Sequence, residues 1–171
     1  YAPPALPPTP ENDLYVALAQ LQQGSNLGAG IQRHEQALAR YRPARADFYY
    51  ELARAHAKMS NYEAVIRWCQ EALGRDPEFA PALKELAGAA IALGRAPQAA
   101  LALERAVAIH PRDADALTDL GNVYLQQGQL DAAETTLQQA LALDPMLSRA
   151  NNSRGLTALG QGQPERAEGF F

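Results

Sequence analysis

The sequence contains only one cysteine, Cys69, so no disulfide can form within the chain and the redox compartment is not indicated. No apolar run approaches the roughly 20 residues that a membrane-spanning helix needs, which argues against membrane insertion. No signal peptide is recognisable, and the chain begins at Tyr1 rather than Met. We therefore expect a processed or excised piece of a longer soluble protein, either cytoplasmic or exported.

Basic residues are missing from one long stretch, residues 114–147, and the chain as a whole has a net charge of −4. Nucleic acid requires a clustered basic face, and the negative net charge argues against one, so we expect no nucleic-acid partner. The stretch is either an ordinary solvated helix face or a patch that favours basic partners. Its acidic residues are Asp115, Asp119, Asp131, Glu134 and Asp144.

The motifs of common catalytic and cofactor sites are also missing. The sequence has no Gly-rich phosphate loop, no dinucleotide fingerprint and no Cys-x-x-Cys-His haem attachment site. His34, His56 and His110 lack the spacing of metal ligands, and His56 is interpreted as a packing residue. Cys69 is interpreted as a small buried apolar residue. We therefore predict no enzyme activity, no metal and no cofactor.

A 34-residue repeat organises what is present. Pro43, Pro77, Pro111 and Pro145 recur at this interval, and a fixed period in this range indicates a solenoid. The repeat gives the frames 46–79, 80–113 and 114–147, followed by a shortened frame 148–171. The eighth position of each frame holds a small residue, which allows two antiparallel helices to approach closely: Ala53, Ala87, Gly121 and Gly155.

Residues 117–145 resemble the tetratricopeptide repeat through the following motif: Leu117, Leu120-Gly121, Tyr124, Ala133, Leu137, Ala140 and Pro145. The resemblance implies an all-α protein, a right-handed α-α superhelix (solenoid) of stacked antiparallel helical hairpins. The apolar spacing within 114–127 independently predicts a helix that Gly128 ends. The array covers 12–171, with a divergent first repeat at 12–45, and is preceded by a proline-rich segment, 1–11, predicted to be extended.

The resemblance also implies a peptide-binding groove on the concave side, lined by the first helix of each hairpin. Ile91 and Leu156 are expected beside its polar lining. Gly88 and Thr118 stand where the family's carboxylate clamp has Asn and Lys, which argues against acidic chaperone tails as ligands. The lining predicted in this way is Asp47, Tyr50, Arg54, Lys58, Lys84, Gly88, Asp115, Thr118, Asn122, Gln126, Arg149 and Asn152.

The leading functional hypothesis is a protein–protein interaction scaffold that binds a peptide or protein segment in this groove. The alternative is an accessory region of a larger enzyme or multihaem electron carrier, with no catalysis in this fragment. Self-association is a further expectation. It would use either the C-terminal end at Phe170-Phe171, where a second helix stops short, or the proline-rich tail, residues 1–10.

Overall fold

The computed structural model describes residues 10–23 and 26–170, and these form ten α-helices and no strand. Most of the proline-rich segment and Phe171 lie outside the described residues. The last two residues of that segment are helical, because α1 begins at Pro10 and proline is tolerated in a first helical turn. The helices are α1 (Pro10–Gln23), α2 (Leu27–Tyr41), α3 (Ala46–Lys58), α4 (Tyr62–Arg75), α5 (Ala80–Ala92), α6 (Ala96–Ile109), α7 (Ala114–Gln126), α8 (Leu130–Leu143), α9 (Ser148–Gly160) and α10 (Pro164–Glu168).

The chain forms two compact units, and the boundary between Glu85 and Leu86 falls inside α5. In unit one, which ends at Glu85, α1 packs on α2, α2 on α3 and α3 on α4. In unit two, which begins at Leu86, α6 packs on α7, α7 on α8, α8 on α9 and α9 on α10. Short turns join the helices of each pair, so consecutive helices run antiparallel. The all-α class and the stacked helical hairpins are confirmed.

The turns inside the hairpins require a left-handed backbone. Gly94, Gly128 and Gly162 have φ of 70°, 73° and 72°, which glycine adopts without the steric cost that a Cβ imposes. The turn between α3 and α4 has Ser60 at this place, with φ of 55°. Asn61 then caps α4 by accepting a hydrogen bond from the Ala64 amide, at 3.4 Å.

Small residues allow the helices of a pair to pack closely, as the repeat predicts. Ala53 is fully buried in unit one, and Leu117, Leu137 and Ala140 are buried together in unit two. A Cβ on Gly121 would lie 2.6 Å from Cγ of Leu137, so α7 and α8 are in direct contact there. Asp115 and Gln126, on the same helix α7, remain exposed.

Two histidines are part of the unit-one core. His34 is fully buried, and its Nε2 lies 2.9 Å from the Phe48 carbonyl oxygen. Burial lowers the pKa of His34 and outweighs that hydrogen bond and the charge of Glu51, which both raise it. His56 is also buried, which agrees with its interpretation as a packing residue.

Candidate functional site

The predicted lining in unit one follows one side of α3. Asp47, Tyr50, Arg54 and Lys58 are separated by three or four residues, which places successive side chains along one helix face. Arg54 and Lys58 are exposed, whereas Asp47 and Tyr50 are half-buried. This face of α3 therefore offers an acid, an aromatic hydroxyl and two cations in a row.

Asp47 and Tyr50 are held by their neighbours. Asp47 accepts two hydrogen bonds from the Arg45 guanidinium, at 3.1 Å from Nε and 2.6 Å from Nη2. The Tyr50 ring meets Phe79 edge to face, with 5.4 Å between ring centroids. Burial, followed by the negative charge of Glu85, raises the pKa of the Tyr50 hydroxyl, so this group stays neutral at physiological pH.

The C-terminal half of α3 carries the cations. Arg54 Nη1 donates to Glu51 Oε1 at 3.1 Å, an exposed contact that contributes little to stability. Lys58 lies in the last turn of α3, where the helix dipole favours a positive charge. A small cleft of about 170 Å³ separates this part of α3 from α1 and is lined by Leu21, Gln22, Glu51, Arg54, Ala55 and Lys58. Lys84, on the part of α5 that belongs to unit one, is exposed.

Arg149 organises the lining in unit two. Its Nη2 donates to Asp115 Oδ1 at 2.9 Å and its Nη1 donates to Asp119 Oδ1 at 2.8 Å, so one guanidinium on α9 joins two carboxylates on α7. The cluster has one cation and two anions, and the Asp115 side chain remains 72% exposed. Asp119 was not among the predicted lining residues, although its i+4 position relative to Asp115 on α7 places it on the same face.

The other predicted residues in unit two differ in accessibility. Gly88, Gln126 and Asn152 are exposed, and Asn122 is half-buried. A Cβ on Gly88 would meet nothing within 4 Å, so the first helix is open at that point. The apolar side chains expected beside the lining, Ile91 and Leu156, are exposed by 38% and 46%.

Thr118 differs from the prediction. It is fully buried, and its hydroxyl donates to the Ala114 carbonyl oxygen at 2.8 Å, one turn earlier in α7. Because this bond within the helix satisfies the hydroxyl, the side chain can be buried without an unpaired polar group. Thr118 therefore has no exposed surface to offer a ligand.

The acidic stretch 114–147 is partly neutralised by arginines that follow it in the chain. Glu134 on α8 accepts hydrogen bonds from Arg154 on α9 and Arg166 on α10, both at 2.6 Å, and from Gln138 at 2.7 Å. Burial raises the pKa of the Glu134 carboxyl, but the hydrogen bonds from Arg154 and Gln138 and the two guanidinium charges outweigh it, so the pKa is lowered. With Asp115 and Asp119 held by Arg149, three of the five acids are ion-paired.

The cysteine thiol, the most reactive side chain of this sequence, is not part of the predicted lining. Cys69 is fully buried, and burial together with the charge of Glu85 raises the pKa of its thiol to about 12, so the reactive thiolate is suppressed. Across residues 10–23 and 26–170, no group of three or more His, Cys, Asp or Glu side chains could hold a metal ion. None of the described helices is long and apolar enough to cross a membrane.

Comparisons with known structures identify the class of helical-repeat proteins. The crystal structure of MamA protein aligns with a TM-score of 0.87 and 22% identity over 95% of this chain and 88% of that chain. MamA 41-end from Desulfovibrio magneticus RS-1 aligns with a TM-score of 0.84 and 18% identity over 98% and 93%. YrrB, described as a TPR protein with an unusual peptide-binding site, aligns with a TM-score of 0.80 and 21% identity over 90% and 78%.

Family models give the more specific assignment. Two models, both described as tetratricopeptide repeat, match residues 16–80 and 90–154, which together make up most of the chain. No curated protein matched the sequence significantly. The chain belongs to the tetratricopeptide repeat family, whose members are generally non-catalytic scaffolds.

Proposed function

We propose that this chain is a protein-interaction scaffold that binds a peptide or an extended protein segment through its first helices. The side chains proposed to bind lie on the first helices of each unit, and the name first-helix surface is used for both sets: Asp47, Tyr50, Arg54, Lys58 and Lys84 in unit one, and Gly88, Asp115, Asn122, Gln126, Arg149 and Asn152 in unit two. The observation that carries this proposal is the different character of the two sides of a first helix. In α7, Leu117 and Leu120 are buried, whereas Asp115 and Gln126 on the same helix are exposed.

The chemistry of these residues favours recognition of a polar backbone with a few side chains. The amides of Asn122, Gln126 and Asn152 can each donate and accept hydrogen bonds, as the backbone of an extended peptide requires. The cluster of Asp115, Asp119 and Arg149 has an excess of one negative charge and favours a lysine or arginine of the ligand there.

A triple substitution tests the proposal. Replacing Arg54, Lys84 and Asn122 by alanine removes two cations and one amide from the first-helix surface. We expect partner capture from the native lysate to be lost while helicity by circular dichroism is unchanged, because all three side chains lie outside the buried core. Capture that persists at the wild-type level would contradict a role for the first helices.

Photo-crosslinking gives a direct control within unit two. A crosslinking residue at Asn152 on α9 should label the captured partner. The same residue at Leu101, which is 62% exposed on the second helix α6, should not. Equal labelling at the two positions would mean that partners contact the chain without preference for the first helices.

Self-association is a second proposal. Leu156 and Leu159 on α9 are both nearly half exposed, and exposed apolar side chains of this size favour a protein contact. Sedimentation velocity over a wide concentration range tests it, and a monomer throughout would refute it. Deletion of residues 1–10 then separates a contribution of the proline-rich tail from one of the C-terminal end.

A further inference from the structure

A cleft of about 600 Å³ lies between two second helices of unit one, α2 and α4, and shares no lining residue with the first-helix surface. Tyr49 of α3 contributes to its lining, together with apolar side chains of α2 and α4. We call it the second-helix cleft, and it is lined by Glu35, Leu38, Ala39, Arg42, Tyr49, Arg67, Trp68, Glu71 and Arg75. A volume of this size accommodates one or two large side chains of a partner.

Two arginines of the cleft lie over aromatic rings. The Arg75 guanidinium carbon is 4.5 Å from the Tyr49 ring centroid, and Arg75 Nη2 donates to the Tyr49 hydroxyl at 3.0 Å. That hydroxyl in turn donates to the Pro43 carbonyl oxygen at 3.1 Å. The Arg67 guanidinium carbon is 5.0 Å from the Trp68 ring centroid. Stacking orders the planar guanidinium groups while leaving their edges free to donate hydrogen bonds.

Positive charge is in excess around the cleft. Arg67 pairs with Glu35 at 3.7 Å and Arg75 pairs with Glu71 at 3.3 Å. Arg42 forms no ion pair with any residue that the structure describes. Three guanidinium groups therefore face two carboxylates, and the Arg67 side chain is 63% exposed, so an incoming carboxylate can reach it.

The repeat frame does not require these side chains. The positions of Tyr49, Arg67, Trp68 and Arg75 hold aliphatic, small or hydroxyl side chains in the next two frames, where the helices still form. Aromatic and guanidinium groups at these positions are therefore particular to the hairpin of α3 and α4. The corresponding residues are Leu83, Leu101, Ala102 and Ile109 in the frame 80–113, and Leu117, Thr135, Thr136 and Leu143 in the frame 114–147.

Arg42 also has an unusual backbone. It precedes Pro43 and has φ of 43°, in the left-handed region, while its amide donates to the Leu38 carbonyl oxygen at 2.9 Å. Asp76 and Asp144 precede the equivalent prolines and are extended, with φ of −138° and −136°. A left-handed residue other than glycine stores strain of about 1–3 kcal/mol, and such strain is concentrated at functional sites.

We propose that the second-helix cleft binds an acidic peptide segment that inserts an apolar side chain between α2 and α4. The apolar side chain packs against Ala39 and Trp68, over a floor formed by the buried side chains of Leu38 and Tyr49. Aspartates or glutamates on either side of it accept paired hydrogen bonds from the guanidinium groups of Arg42 and Arg67. The site belongs to second helices of unit one, so it does not depend on the first-helix surface.

The chain provides its own probe, because Trp68 is its only tryptophan. Short synthetic peptides with a central Phe or Leu flanked by aspartates and glutamates are titrated while the tryptophan fluorescence is followed. Matched peptides carry Asn and Gln, or Lys, in place of the acids. We expect the acidic peptides to change the Trp68 emission and to bind at least about tenfold more tightly than the amide peptides, and we expect binding to weaken with salt.

Three variants test whether the acidic peptides bind in the second-helix cleft. Arg67→Thr and Arg75→Leu introduce residues that the third full frame already holds, and Arg42→Gly removes a guanidinium while relieving the left-handed strain. Arg42→Gly and Arg67→Thr should each weaken binding of the acidic peptides at least about fivefold, and Arg75→Leu should weaken it because it lowers the positive charge of the cleft. Arg33→Thr is the matched control, because Arg33 is an exposed arginine of α2 outside the cleft and its loss changes the net charge equally.

Several outcomes would overturn the proposal. These are equal binding of the acidic and amide peptides, no change in Trp68 emission with any acidic peptide, or equal weakening by Arg33→Thr and Arg67→Thr. Tighter binding of a single-stranded oligothymidine would assign the stacked guanidinium groups to nucleic acid instead. The triple variant of the first-helix surface should still bind the acidic peptides, which separates failure of this proposal from failure of the proposed function.

Discussion

Replacing Glu134 by glutamine removes the carboxylate whose ion pairs link three helices of unit two, α8, α9 and α10. The carboxylate belongs to α8 and accepts from Arg154 on α9 and Arg166 on α10, and its side chain is only 12% exposed. The Arg154 side chain is 16% exposed, and its guanidinium carbon lies 4.4 Å from the Phe170 ring centroid. The substitution keeps the shape of the side chain but leaves a nearly buried guanidinium without its counter-ion.

The size of the effect follows from the charged hydrogen bonds. A hydrogen bond to a charged group contributes about 1.5–3 kcal/mol, and glutamine keeps part of this through its carbonyl oxygen. We expect Glu134→Gln to cost about 2 kcal/mol, which corresponds to roughly 4–8 °C in melting temperature for a chain of this size. Because the stability of a repeat protein depends mainly on neighbouring interfaces, the loss should be concentrated in α9 and α10.

Amide hydrogen exchange measures that local loss, and thermal unfolding measures the global one. Glu165→Gln is the matched control, because Glu165 is exposed, and we expect a change within about 0.5 kcal/mol there. The pKa of folded Glu134 is below the 4.5 of an unperturbed glutamate, so its stabilisation is complete above about pH 4.5 and is lost as pH falls through the folded pKa. The difference between wild type and variant should therefore shrink in acid.

Two results would refute this reasoning. One is a Glu134→Gln variant that unfolds and exchanges its α10 amides like the wild type. The other is strict additivity of Glu134→Gln with Arg166→Ala, because groups that share a contact should be coupled by about 0.5–3 kcal/mol in a double-mutant cycle.

Four further predictions each concern a single residue. Gly88→Ala should raise the free energy of unfolding in urea by about 1 kcal/mol, because alanine favours the helix more than glycine does and its Cβ would meet no neighbour. Gly121→Ala should lower this free energy by about 1 kcal/mol or more, because the Leu137 side chain must move. Because the pKa of His34 is lowered by burial, wild-type stability should be complete above about pH 6.5 and decrease as pH falls below it, and His34→Gln should flatten this urea-denaturation profile. Cys69 should resist maleimide at pH 8 in the folded protein and react in denaturant; labelling of the folded protein would contradict its raised pKa.

The repeat period was sufficient to predict the helical hairpins. The first helices α3, α5, α7 and α9 begin at Ala46, Ala80, Ala114 and Ser148, which are 34 residues apart, as the prolines are. The turn at Gly128 followed from the apolar spacing of the helix that it ends. Small and large side chains in a fixed register specify how helices pair, because close packing has few solutions.

The side-chain partners were less predictable. Asp115 and Arg149 have the same position in successive frames, so the sequence contains the signal for their ion pair. The lining predicted from the resemblance includes both residues but does not pair them. The burial of Thr118 could not be predicted from the sequence, because the hydrogen bond of a threonine hydroxyl can be made either to solvent or to its own helix. Trp68 is half-buried and lines the second-helix cleft with Arg67, and the repeat frame could not indicate this because Ala102 and Thr136 stand at the same position in the next two frames.

The burial of Cys69 has a practical consequence. With the only native thiol enclosed, a cysteine introduced on the surface would be the sole attachment point for a dye, a spin label or a tether. Ser60 suits this use, because it is exposed and its left-handed turn already accommodates a Cβ. A fluorophore placed there, used together with the natural indole of Trp68, would allow ligand occupancy and the opening of the α3–α4 hairpin to be followed in the same cuvette.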